Sequence, residues 1–119
     1  FRPFAPSVVE EEASKYFHLQ ESIPFMTTVC SVTEHGRQHL PAVTHVDGTA
    51  RVHTVSERDN PLFWRLIKTF GEETGTPVIL NTSFNIMGEP IVENPLQAIR
   101  CFFSSGLDVL ILGNCIVRK

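Results

Sequence analysis

The sequence contains none of the glycine-rich signatures that cradle phosphates or expose a nucleophile. There is no Gly-x-x-x-x-Gly-Lys-Ser/Thr, no Gly-x-Gly-x-x-Gly and no Gly-x-Ser-x-Gly. A nucleotide, if bound, is held by another architecture. Cysteine is scarce: Cys30, Cys101 and Cys115 are an odd number without the short paired spacing of a metal site, and each lies in an apolar run. They read as buried free thiols in a reducing cytoplasm. No apolar run approaches the roughly 18–20 residues needed to span a bilayer, and no basic-then-apolar leader opens the chain. There are no repeats and no low-complexity tract.

What remains is ordinary globular composition, 42% hydrophobic and 19% charged over 119 residues, which predicts one core and one folded unit across 1–119. A net charge of −3 argues against polyanion binding over the whole surface, and so against nucleic acid as a ligand, although a few arginines gathered in a cleft still hold phosphate in an acidic protein. The opening Phe1-Arg2-Pro3-Phe4 lacks an initiator methionine, and a preceding segment is expected.

The local patterns alternate between strands and helices. Ser7 stands three residues before Glu10 in a capping-box arrangement, and the acidic residues that follow predict a first helix over 8–17. Residues 25–32 are β-branched and apolar and read as a strand, followed by a polar turn over 34–39 that contains Gly36. After Pro41 an extended stretch leads into Asp47-Gly48, a tight-turn pair. From 50 to 55, Ala50, Val52 and Thr54 alternate with Arg51, His53 and Val55. Asn60-Pro61 opens a helix whose Leu62, Phe63, Leu66, Ile67 and Phe70 recur at helical spacing until Gly71 and Gly75. Pro77 to Leu80 reads as a strand buried on both faces that delivers Asn81-Thr82-Ser83-Phe84-Asn85 to a sheet edge. Asn94-Pro95 opens another helix, and 109–112 and 115–117 read as further strands, the first of them buried. The sum is an α+β or α/β fold with a mixed, twisted sheet and helices on its faces.

Polar residues concentrate at three places: around Arg2, over 44–51, and over 81–85. Arg51, on a strand between core positions, has the planar fork that gives paired charge-assisted bonds to phosphate, each worth on the order of 1.5–3 kcal/mol. A salt bridge to one of the thirteen acidic residues is the alternative. Asn81 to Asn85 offer hydroxyls and amides at a strand end, suited to nucleotide or acyl groups, with loop capping as the alternative. His45 and Asp47 suggest a metal or acid–base pair, but no third ligand lies nearby, and a turn aspartate beside a polar-contact histidine explains them better.

The three constellations resemble the C-terminal domain of O-carbamoyltransferases of the NodU/CmcH kind. The matching segments are Arg2-Pro3-Phe4-Ala5-Pro6-Ser7-Val8, Val43 through Val52, and Leu80 through Asn85 with Gly88-Glu89-Pro90-Ile91-Val92. The likeness runs on to Gly106-Leu107-Asp108-Val109-Leu110 and Gly113. It implies a YrdC-like fold and a two-domain cytoplasmic enzyme. In that enzyme this domain converts carbamoyl phosphate and ATP to carbamoyl adenylate, and an N-terminal transferase domain in cis passes the carbamoyl group to an acceptor hydroxyl. The acceptor classes are sugars, nodulation-factor oligosaccharides and antibiotic intermediates.

By the same resemblance Arg2 and Arg51 match phosphate-binding arginines, catalytic in stabilising departing charge. Ser83, Asn81 and Asn85 match a strand-end motif for carbamoyl and nucleotide groups, and Thr82, Thr49 and His45 are secondary candidates. No metal is expected in this domain beyond Mg2+ accompanying ATP; the transfer metal is implied for the N-terminal domain. The family's basic Lys-x-Arg-Glu run would lie just upstream, so the chain alone is expected to bind without turnover. A non-catalytic ligand-, RNA- or partner-binding domain is the alternative.

Overall fold

The computed structural model describes residues 4–119, in a mixed α+β arrangement that divides into two compact units, Phe1–Thr82 and Ser83–Lys119. Among the described residues no helix is long and apolar enough to cross a membrane.

The first unit is built on a three-stranded mixed sheet in the order β4-β1-β5. Here β1 is Ala5–Val9, β4 is His53–Val55 and β5 is Val78–Asn81. The central β1 runs parallel to β4 (Ser7 opposite His53) and antiparallel to β5 (Ala5 opposite Asn81). This corrects the helix expected over 8–17. Val8 and Val9 are strand, and the carboxylates Glu10–Glu12 form a single 3-10 turn before a short helix α1 at Ala13–Tyr16. Pro6, in the middle of the central strand, cannot donate to a ladder. The β4 ladder starts only at Ser7, so on that side the missing N–H costs no bond.

Alternation along these strands makes two faces. On one, Val9, Val55 and Ile79 pack beneath Ile67, Phe63 and Trp64 of helix α3, Pro61–Thr74. On the other, Val8 and Val78 join Tyr16, Phe17, Val32, Ala50 and Val52 in the larger core. Burying each of the larger side chains contributes about 1.5–3 kcal/mol. Helix α3 begins and ends as its sequence predicts. The Asn60 side chain accepts a hydrogen bond from the Phe63 N–H at 3.2 Å, and Gly75 closes the helix at φ 78, a left-handed conformation that suits glycine.

Three expectations fall short in the same unit. The strand predicted over 25–32 is only β2, Val29–Ser31, paired antiparallel with β3, Thr49–Arg51. The segment predicted as a polar turn is a helix, α2, Glu34–His39. Thr33 caps it, its hydroxyl accepting from the Gly36 N–H at 3.0 Å. Residues 41–43 form a 3-10 turn rather than extended chain. Asp47-Gly48 does turn, with Gly48 at φ 78 and the Gly48 N–H donating to the His45 carbonyl.

In the second unit helix α4, Pro95–Phe103, is capped by the Asn94 side chain. It packs Ala98 and Phe102 against the hairpin of β6, Val109–Leu112, and β7, Cys115–Arg118. β6 is not buried on both faces as expected: Leu110 faces the helix while Val109 and Ile111 are exposed, the single-sided alternation of a hairpin. Leu80 on β5 is likewise exposed, although Val78 on the same face of the strand is buried. Cys101 is buried, Cys30 half-buried and Cys115 exposed, so the core placement expected of all three thiols fails for Cys115; all three are free.

Candidate functional site

The alternation read between 50 and 55 is the feature that builds the site. Ala50, Val52 and Thr54 are buried, which leaves Thr49, Arg51 and His53 half-buried in a row on the opposite side of the chain. Val55, expected to share the side of Arg51 and His53, does so and is covered by α3.

Arg51 closes β3 opposite the exposed Val29. Among the described residues it makes no ion pair, so the alternative of a structural salt bridge finds no partner there. Arg58 is different: its guanidinium lies 2.9 and 3.0 Å from the two Asp59 carboxylate oxygens. That pairing and the Ser56 hydroxyl bring the Asp59 carboxyl down to about 2, so Arg58 is already neutralised. The Arg58–Asp59 pair rims a hollow of about 460 Å³ that His53 and Phe25 also line.

His45 and Thr49 come together, and with them Asp47. The Thr49 hydroxyl donates to Asp47 Oδ1 at 2.7 Å, and the Thr49 N–H donates to the same oxygen at 3.0 Å. These bonds, the hydroxyl's first, hold the Asp47 carboxyl below its ordinary value. With its proton spent on Asp47, the Thr49 hydroxyl accepts from His45 Nδ1 at 3.1 Å. His45 Nε2 is then buried without a partner. Asp47 is thus a turn aspartate, and among the described residues no group of three or more His, Cys, Asp or Glu side chains is arranged to hold a metal ion.

The strand end carries a second group. Asn81 Nδ2 donates to the Ser7 hydroxyl at 2.9 Å, and Ser7 Oγ lies 3.0 Å from His53 Nδ1. Ser7 is fully buried. Burial pushes the His53 imidazole below its ordinary value, against the opposing pull of the Pro24 carbonyl. The ring stacks on Phe63 of α3 with centroids 5.9 Å apart. The sequence reading missed Ser7 and His53. The Ser-x-x-Glu spacing at Ser7 reads as a helix cap, and the pattern marks His53 only as a member of the alternation. That alternation was the available signal, since it sets His53 beside Arg51.

Thr82 is exposed at the end of the first unit. Ser83 and Asn85 belong to the second, where Ser83 is exposed and the Asn85 amide donates to the Ile86 and Glu89 carbonyls at 3.1 and 2.9 Å, fastening its own loop. Arg2 lies outside the described residues.

The family model described as "Carbamoyltransferase C-terminus" matches residues 1–119. Nodulation protein NolNO of Sinorhizobium fredii is 48% identical over the whole chain, which covers 18% of that protein. Nodulation protein NolO of Bradyrhizobium diazoefficiens is also 48% identical over the whole chain, covering 22% of its length. The 3'-hydroxymethylcephem-O-carbamoyltransferase of Amycolatopsis lactamdurans is 36% identical over 96% of the chain and 22% of its own length. The chain therefore spans about a fifth of the length of these relatives. Matched from its first residue to its last, the chain belongs to the carbamoyltransferase C-terminus family.

Proposed function

We propose that this chain is the part of an O-carbamoyltransferase that binds carbamoyl phosphate and ATP and forms carbamoyl adenylate. The rest of the enzyme, an N-terminal transferase domain in cis, then moves the carbamoyl group to an acceptor hydroxyl. The observation that carries this reading is Arg51: a half-buried arginine without a carboxylate partner among the described residues, in one row with Thr49 and His53. An arginine left in this state has five donors to satisfy and favours a phosphate oxyanion.

Atom balance fixes the order of events. Water cleaves carbamoyl phosphate into orthophosphate and carbamate. A carbamate oxygen then attacks the ATP α-phosphorus, an O–P bond forms, and the bond to pyrophosphate breaks. Both steps release negative charge onto phosphate oxygens, where fixed guanidinium groups stabilise the transition state without any protein nucleophile. Arg51 takes that role, with Arg2 as the second arginine. Asn81 and Thr82 supply polar contacts to the carbamoyl and nucleotide groups. His45 and Thr49, tied to Asp47, hold the start of β3 and so aim Arg51. Any Mg2+ enters as the counter-ion of the ATP phosphates. A hydroxyl acceptor agrees with the hydroxymethyl group in the name of the Amycolatopsis relative.

Exchange of labelled pyrophosphate into ATP tests the reaction. In the enzyme that carries this chain, without acceptor, label enters ATP only when carbamoyl phosphate is present, and Arg51→Ala slows it about ten- to a hundredfold. Carbamoyl transfer to acceptor without such exchange would show direct transfer from carbamoyl phosphate and overturn the reading.

A further inference from the structure

We propose that Ser7 and His53 are positioning residues that lock the Asn81 amide with its nitrogen turned into the sheet and its oxygen presented to ligand, so that the site selects acyl phosphates bearing an N–H donor. The inference rests on the proposed function above and deepens it by naming what tells carbamoyl from acetyl.

The hydrogen-bond bookkeeping decides the orientation. Three atoms surround Asn81 Nδ2: Ser7 Oγ at 2.9 Å, His53 Nδ1 at 3.4 Å and Met26 Sδ at 3.6 Å. A thioether sulfur is only an acceptor, so it favours the NH2 limb of the amide over the oxygen. Met26 is held there at φ 56, a left-handed conformation that costs a residue with a side chain on the order of 1 kcal/mol.

The imidazole follows from that choice. The same NH2 limb lies 3.4 Å from His53 Nδ1, and an amide NH2 can only donate, so Nδ1 is the ring's acceptor. A neutral ring has one N–H, which then sits on Nε2. The Ser7 hydroxyl must donate to Nδ1, and its oxygen is then left to accept from Asn81 Nδ2. The chain of donors runs one way, from Asn81 to Ser7 to His53. A flipped amide would set its oxygen against the sulfur and would need the Ser7 proton that His53 holds. Around it the positions are fixed: Ser7 is fully buried, and the ring of His53 lies on Phe63.

Asn81 Oδ1, on the other limb of the amide, has no hydrogen-bond partner among the described residues. It is an acceptor at the end of β5, the strand that the proposed function brings to the acyl group. A carbamoyl NH2 satisfies it. The methyl of acetyl phosphate has the same size and leaves it unpaired, and a site that hydrogen-bonds an N–H discriminates strongly against an analogue lacking one.

The test is calorimetric titration of carbamoyl phosphate and of acetyl phosphate, without ATP, into the enzyme carrying this chain. Wild type is expected to prefer carbamoyl phosphate by at least about tenfold. His53→Leu, which cannot accept from Ser7, is expected to bring the ratio toward one while acetyl phosphate binds as before. His53→Gln, whose amide oxygen accepts from Ser7, is expected to restore the ratio even if His53→Leu fails to fold. Equal binding of both ligands by wild type overturns this inference and leaves the proposed function standing. So does a His53→Leu variant, or a His53→Gln variant, that weakens both ligands alike. Binding of neither ligand by wild type overturns both.

Discussion

Phe102→Ala is expected to cost the second unit about 3–5 kcal/mol, the ordinary range for deleting a fully buried phenylalanine. Phe102 is 0% exposed, and its partners Ala98, Leu110, Phe84, Val92, Leu112 and Val117 come from every element of a unit of limited size. Its ring meets Phe103 edge-on with centroids 5.2 Å apart, and the Lys119 ammonium lies 5.0 Å from its centre. Hydrogen exchange at the ladder amides of β6 and β7 reads the effect: their protection should fall by at least a hundredfold, while β1 amides keep theirs. Equal loss in both places would mean that the units unfold as one, and no loss would mean that Phe102 does not hold the hairpin.

Gly36→Ala is expected to destabilise the first unit by about 1–3 kcal/mol or more. Gly36 lies inside α2, where alanine ordinarily favours the helix by up to about 1 kcal/mol, so propensity alone predicts the opposite sign. Packing decides. A Cβ at Gly36 would collide with the Tyr16 carbonyl oxygen and stand 2.6 Å from Val32 Cγ1. The carbonyl cannot move away, because it accepts the Thr33 N–H at 2.8 Å, and Thr33 caps the same helix. Val32 is fully buried and has no room either. A lowered midpoint in chemical denaturation checks the sign; unchanged or raised stability would show that α2 slides to make room.

The same glycine shows why part of the fold was not legible in the sequence. Gly36 amid polar residues reads as a turn, yet its φ is not among the positive ones, and its purpose is close approach of α2 to the chain at Tyr16. Such a requirement is tertiary and leaves no local mark. Ser7 failed for a related reason. Ser-x-x-Glu behind a proline is a good helix start, but burial of Val8 and Val9 on opposite sheet faces outweighed it.

Where the local signal and the core agreed, the sequence sufficed. Asn60-Pro61 and Asn94-Pro95 both cap helices, and the stripe through Phe63 and Ile67 packs on the sheet. Of the candidate site, Arg51, Thr49 and His45 were visible because polar residues between core positions are conspicuous. The Ser7–His53 support of Asn81 was not, because it joins three strands separated by 46 and 28 residues of chain.

Titration of carbamoyl phosphate and of ATP into the chain, extended upstream through the basic run that its resemblance implies, tests the central claim most directly when wild type and Arg51→Ala are compared. Wild type should bind both. Arg51→Ala should weaken binding by about 1.5–3 kcal/mol, roughly ten- to a hundredfold. Its thermal unfolding without ligand should stay within about 0.5 kcal/mol of wild type, since Arg51 makes no ion pair among the described residues. Absence of binding, or binding indifferent to Arg51, would contradict the account.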